Sequence, residues 1–267
     1  MLLRSPALFV DNADVKRIDD RRLLDWLEDR APEGNSGTGY DASGWEASIW
    51  ILHAMYETDT LPSDITYDEA HRIKLAAGAS EPEQIGEAKL EEALSGATLI
   101  GGALGRSQRP GPGWERLFWS DLAKRLDVDP FAIDFPPCFR SFPYDSWPVN
   151  IQPPAEGSLD REQYQRLVEH LVSVTTEDRQ ANCVAFYSCL AGSDPHTDVI
   201  YEGATKELAT LYDDSNVIGS PSNIWPDGRE WFVYTDHDLW ATKVSGNADL
   251  IDRLVADTEL ETVSLSF

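Results

Sequence analysis

The apolar positions of the chain change rhythm along its length. Over residues 18–31, Leu23, Leu24, Trp26 and Leu27 fall on one side of a 3.6-residue period behind Asp19 and Asp20, which predicts an amphipathic helix. The glycine-rich stretch PEGNSGTGYDASG reads as a connecting loop ending at Ser43, a residue suited to an N-cap. In GWEASIWILHAMYE, residues 44–57, Trp45, Ile49, Leu52 and Tyr56 stand at helical spacing with Trp50 and Met55 beside them. That pattern predicts a helix apolar around most of its girth, and therefore buried. His53 within it is expected to be a hydrogen-bonded core residue, although Glu57 and Glu46 share its side.

Thr66 and Glu69 spell a capping box, with Gly78 as the stop of that helix. A further helix is expected over residues 81–95. The glycines of GATLIGGALGRSQRPGPG lack both a Gly-Lys-Ser/Thr ending and GxGxxG, so they read as a linker rather than a phosphate cradle. WERLFWSDLAKRL, residues 114–126, carries Leu117, Phe118, Leu122 and Leu126 as a helical stripe. Seven prolines between 127 and 160 then exclude regular helix and central strand and predict an extended strap.

After residue 151 the rhythm shortens. A helix is expected from Ser158, followed by CVAFYSCL as a strand, the polar loop AGSDPH, TDVIYEG as a second strand and ATKELATLY as a short helix. Residues 220–246 are expected to form a turn and then two strands, EWFVYTD and LWATKVSG, joined by a turn at Asp236–Asp238. Asn247 caps a last helix, and ELETVSLSF closes as an alternating strand. The expected fold is therefore α+β: a helix-rich N-terminal region, residues 1–150, ending in the proline strap, and a smaller mixed α+β domain, residues 151–267.

Charge changes the picture most. The chain has 47 acidic against 22 basic residues, a formal charge of −25, and only six of the basic residues are Lys. A field of that sign repels nucleic-acid phosphates and anionic lipid. It suits a basic protein partner, and equally a salt-adapted surface. With no signal-peptide run and no long apolar window, a cytoplasmic protein without a membrane span is expected. Three cysteines, Cys138, Cys183 and Cys189, have no disulfide-framework or zinc-knuckle spacing. Cys189 as a nucleophile would need an electropositive setting that this chain rarely offers.

Two constellations carry candidate chemistry. His196, Asp198 and His237 have the residue types of a 2-His-1-carboxylate metal site, and Asp194 and Asp236 would join them if two loops meet. Against a metal stands the preference of strand-to-strand turns for Asp. Trp225, Trp231, Tyr234 and Trp240, beside Asp236 and Asp238, are the candidate partner-binding surface, because aromatics among acids suit a basic peptide or Arg-rich protein.

The C-terminal third, CVAFYSCLAG, then VIYEGATKELATL, then SPSNIWPDGREWFVYTDHDLWATKVSGNADLIDRLVADTELETV, resembles a bacterial family of uncharacterised proteins. In that family a strand of the Cys-Trp-Phe-Ala type precedes a Ser-Pro-Asn-x-Trp-Trp-Pro-Glu-Asp-Arg stretch; here Val184 replaces the Trp and Gly228 precedes Arg229. The resemblance implies no activity, cofactor or site residues. The leading expectation is a non-enzymatic acidic binding module, such as an immunity or inhibitor protein, with no cofactor. The alternatives are a metal-dependent enzyme using the Asp/His set and a salt-adapted structural or stress protein.

Overall fold

The run Ile49-Trp50-Ile51-Leu52, expected in a helix, is a strand, and its side chains show why. Ile49 and Ile51 enter one apolar core while Trp50 and Leu52 enter another. A strand covered on both faces has no polar side to betray a period of two, so it reads as a continuous apolar run. The computed structural model describes residues 15–31, 38–76, 109–129, 136, 138, 146–175, 182–188 and 197–265. The helix expected over 81–95 and part of the proline strap, residues 130–135, 137 and 139–145, lie outside them.

The helix-rich N-terminal region is thereby corrected: the fold is built on a large antiparallel sheet, and the early residues supply strands to it. Its eight strands are β1 (Val15–Ile18), β2 (Ala47–Leu52), β6 (Asn182–Tyr187), β7 (Val199–Ala204), β8 (Asn223–Pro226), β9 (Phe232–Thr235), β10 (Ala241–Gly246) and β11 (Thr262–Val263). They lie in the order β1-β7-β6-β8-β9-β10-β2-β11, every neighbour antiparallel. Strands from before and after residue 150 are thus hydrogen-bonded in one sheet, with β2 inserted between β10 and β11. The edge strand β1 carries Lys16 and Arg17, and β11 at the other edge is two residues long. Charge and shortness both discourage pairing with another chain. A second sheet, β4-β3-β5, joins β3 (Met55–Glu57), β4 (Glu115–Leu117) and β5 (Ile151–Gln152). The helices expected over 44–57 and from Trp114 therefore dissolve into strands, leaving only Trp119–Leu126 helical.

The same alternation repeats across the large sheet. Cys183, Ala185, Tyr187, Ile224, Val233 and Val244 face one core; Val184, Phe186, Trp225, Phe232 and Tyr234 face the other. Over the first core lie α4 (Arg161–Val174) through Tyr164, Leu167 and Leu171, the 3-10 helix Thr205–Asp213 through Leu208 and Tyr212, and α5 (Ala248–Ala256) through Leu250 and Leu254. Over the second lie Leu24 and Leu27 from the helical turns Arg21–Leu24 and α1 (Asp25–Glu28), with Met55, Leu117 and Trp119. Trp119 opens α3 (Trp119–Leu126).

Helix starts follow local chemistry. At α2 (Tyr67–Ala76) the Thr66 N–H donates to Glu69 Oε2 at 2.9 Å, and the Glu69 N–H returns a bond to Thr66 Oγ1 at 3.3 Å. Asn247 caps α5, accepting from the Leu250 N–H at 2.9 Å. Helix α4 starts later than Ser158 because Ser158 is engaged elsewhere, its Oγ accepting from the Ser220 N–H at 2.8 Å; Asp160 caps instead, accepting from the Gln163 N–H at 2.8 Å. Among the described residues no helix is long and apolar enough to cross a membrane.

Candidate functional site

Aromatic residues nominated as a binding surface are interior. Trp225, Trp231, Tyr234 and Trp240 are each 8% exposed or less. Trp231 is enclosed in the core that holds Leu250 and Leu254, while the other three are covered by tryptophans from residues 26–147, Trp50 meeting Tyr234 edge-on at 6.2 Å. The Trp26 ring meets Trp225 edge-on at 5.6 Å and Phe232 at 5.8 Å, Trp45 stacks on Phe232 at 5.1 Å, and Trp240 lies between Trp119 and Trp147 at 5.9 and 5.8 Å. Both faces of β9 carry an aromatic or branched residue because both faces are core. Of the nominated set only the acids reach solvent: Asp238 is exposed and Asp236 half-buried.

The nominated metal ligands do not assemble as expected. Asp194 and His196 lie outside the described residues. Asp198, just before β7, accepts from Arg21 Nη1 at 2.6 Å. It sits at the same end of the sheet as the Asp236 turn, but β6 and β8 lie between β7 and β9. Three strand spacings put the two about 14 Å apart, too far to share an ion. At the turn itself Asp236, His237 and Asp238 do converge, their nearest ligand atoms within 4.8 Å of one another. Local bonding explains the arrangement. Asp236 Oδ1 accepts from the Asp238 N–H at 2.9 Å and Oδ2 from the Tyr234 hydroxyl at 3.0 Å. His237 Nε2 lies 3.1 Å from Asp238 Oδ1, while its Nδ1 is buried without a hydrogen-bond partner. Glu156 faces the same turn, its carboxyl held above the ordinary range by burial and then by the Asp238 charge. Gly157 lets the two segments touch: its φ is +69°, and a Cβ there would lie 2.5 Å from His237 Cα.

No family model, curated protein or solved structure matches the chain. What the protein does is therefore argued from its own geometry.

That geometry contains a cavity the sequence did not nominate. It encloses about 220 Å³ between the small sheet and α4, and its walls include Tyr56, Arg109, Arg116, Gln163, Arg166 and Leu260. Tyr56 and Arg116 are directly opposite each other on β3 and β4. The Arg116 guanidinium lies 5.9 Å from the centre of the Tyr56 ring and 5.7 Å from that of Phe118, and its Nε and Nη2 are buried without hydrogen-bond partners. Two of the nearby acceptors are spent, while the carboxylates of Glu162 and Glu259 also line the cavity. Asp160 takes the Tyr56 hydroxyl on one oxygen and the Gln163 N–H on the other. Gln163 accepts from the Ala54 N–H and donates to Leu52 O, each at 2.8 Å. The sequence signal, a basic residue among aromatics in WERLFW, was hidden by reading that stretch as a helix.

Two other polar groups hold the frame. His53 is fully buried, Nδ1 2.7 Å from Ala155 O and Nε2 2.9 Å from Thr242 Oγ1. A carbonyl only accepts, so Nδ1 carries the proton and the Thr242 hydroxyl donates to Nε2. Burial, with Arg116 adding repulsion, drives its pKa from 6.5 to about 3, so the ring stays neutral. It is the core histidine expected, in the link between β2 and β3 rather than in a helix. Between α4 and α5, Asp257 accepts from Arg166 Nε at 2.6 Å and pairs with His170 Nε2 at 2.5 Å. Burial pushes its pKa up, but the Arg166 and His170 bonds outweigh that and leave it at about 2.

Proposed function

We propose that the protein is a cytosolic binding protein whose acidic surface engages a basic protein partner, in the manner of an immunity or inhibitor protein. One observation carries the reading. Among the described acidic residues only Asp160 and Asp257 are buried, and both are engaged by partners inside the fold, so the other described acids carry their charge at or near the surface. Repulsion is evident where Asp227 stands near Glu202 and Glu230: burial first, then those two charges, raises the Asp227 pKa against an opposing bond from Asn182. A cationic partner relieves such crowding. Because the nominated aromatics are core, the proposed recognition is electrostatic rather than aromatic, and it does not extend to nucleic acid.

The test is capture of a partner by the full chain at low salt, followed by its affinity across a salt series. The reading expects a basic partner whose affinity falls steeply with salt, and a further loss of about tenfold in a Glu202→Gln, Asp227→Asn, Glu230→Gln variant. Affinity indifferent to salt and to those substitutions refutes it. A divalent cation at Asp236, His237 and Asp238 is the second reading, favoured by the convergence of their ligand atoms. Broadening of the His237 resonances by sub-stoichiometric Mn(II), lost in Asp236→Asn, would support it; unaltered resonances would remove it.

A further inference from the structure

Asp227 and Gly228 are the only Asp-Gly pair in the chain, which has no Asn-Gly. Both are exposed, in the turn between β8 and β9. The turn is pinned on either side of Gly228 but not at it. The Asp227 N–H donates to Asn182 O at 3.0 Å and the Arg229 N–H to Pro226 O at 2.8 Å, whereas no backbone acceptor among the described residues holds the Gly228 N–H. The Glu230 carboxylate folds back over Gly228, its Oε1 and Oε2 2.1 and 2.6 Å from the point where a Cβ would stand. A Cβ lies about 2.5 Å from its own backbone nitrogen, so this carboxylate is within about 5 Å of the Gly228 N–H. We infer that Asp227 isomerises in the folded protein: the Gly228 nitrogen closes on the Asp227 carboxyl to give a succinimide, with Glu230 taking the amide proton, and water reopens the ring as an isoaspartyl link.

Each requirement of the ring closure is met by a neighbour. The attacking nitrogen belongs to a residue with no side chain to obstruct its approach. The acid loses water most readily when neutral, and partial burial, then the Glu202 charge, holds the Asp227 carboxyl above its ordinary range against an opposing bond from Asn182, with Glu230 adding to the rise. A carboxylate beside the amide is placed to accept its proton, directly or through one water. The bond from Gly228 N to Asp227 Cγ forms as the carboxyl hydroxyl, protonated from Glu230, leaves as water. A second water, which reaches the exposed turn, then adds at the main-chain carbonyl of Asp227 and breaks its bond to Gly228 N. The chain now runs through Cγ, the former main-chain carbonyl is a free carboxylate, and nothing is oxidised or reduced. The product adds one carbon to the main chain of the turn. Arg229, held at a φ of +56° that is costly for a residue with a side chain, gains room to leave that conformation. Its guanidinium lies 4.3 Å from the Trp26 ring centre and its carbonyl accepts from Trp45 Nε1 at 2.9 Å, so the change reaches the tryptophan cover of the second core.

The experiment is peptide mapping by mass spectrometry with electron-transfer fragmentation, which separates isoaspartate from aspartate. The full chain is incubated for a prolonged period in neutral buffer, once folded and once unfolded in guanidinium chloride. The folded chain is expected to accumulate isoaspartate at Asp227, preceded by a species lighter by one water, at least as fast as the unfolded chain. Glu230→Gln is expected to slow the folded reaction at least about tenfold and to leave the unfolded rate unaltered. The comparison of folded with unfolded parent decides the matter even where that variant is unstable. The inference is overturned if Asp227 stays unmodified, or if the unfolded chain isomerises faster than the folded one, since the reaction would then belong to the Asp-Gly pair and not to the fold. It is also overturned if folded Glu230→Gln reacts as fast as the parent.

Discussion

His53 should make the fold acid-sensitive in a way that can be isolated from every carboxylate. Its folded pKa of about 3 lies below the ordinary 6.5, so the unfolded chain takes up the proton first. Between those values the unfolded state binds more protons, and stability falls as pH falls; above 6.5 the contribution is fully present. At about 1.4 kcal/mol per pH unit the whole shift is worth at most roughly 5 kcal/mol. The part lost between pH 7.5 and 4.5 is roughly 3 kcal/mol, because the unfolded imidazole is nearly fully charged at the lower value. Urea unfolding at a series of pH values measures this for the parent and for His53→Gln. The variant should be less stable at pH 7.5, by about 1–3 kcal/mol for the disrupted bonds to Ala155 O and Thr242, but flatter with pH. The difference between the two curves should close as pH drops. Two parallel curves, or a His53 ring resonance titrating near pH 6.5 in the folded protein, would refute the reasoning.

Three further outcomes follow from particular contacts. Gly157→Ala should lower stability by about 1–3 kcal/mol, seen as a lower Tm, because a Cβ would strike the His237 backbone and the φ of +69° strains an L-residue. Ile51→Ala, in the doubly covered strand, should cost about 2–5 kcal/mol in urea unfolding, since Ile51 is fully buried; a loss under 1 kcal/mol would argue that β2 is not central. Asp257 has a folded pKa of about 2 against an ordinary 3.8, so its contribution is present above 3.8 and lost as pH falls through 2. Asp257→Asn should reduce the stability gap between pH 5 and pH 2, and an unchanged gap would place that acid sensitivity elsewhere.

The legible parts of this sequence were those whose signal is local. The Thr66–Glu69 box, the Asn247 cap, the strands β6 and β7 and the Asp236–Asp238 turn each have a signal in a few adjacent residues, and each is present as read. What escaped depended on distant chain. Whether Ile49-Trp50-Ile51-Leu52 is strand or helix is decided by a partner about 190 residues away, β10, and by cores on two sides. The SPSNIW stretch, read as a turn, is strand β8 for the same reason: β6 and β9 flank it. The exposed aromatic surface failed because its cover is distant in sequence: tryptophans from residues 26–147 over Trp225, Tyr234 and Trp240, and the core holding Leu250 and Leu254 around Trp231. The Arg116 cavity escaped because its walls come from four separated segments, and a buried donor is invisible until its acceptors can be counted.

The place of β2 sets a timetable for biosynthesis. As the chain leaves the ribosome, β2 emerges with neither of its hydrogen-bonding neighbours, since β10 and β11 begin at residues 241 and 262. The nascent chain must carry one of its most apolar segments, with two bare edges, until those residues have been made. A ribosome stalled anywhere before residue 241 holds a product that cannot complete the sheet. The expected outcome, readable by crosslinking to nascent chains of graded length, is chaperone contact over Ala47–Leu52 that ends once β10 and β11 have emerged.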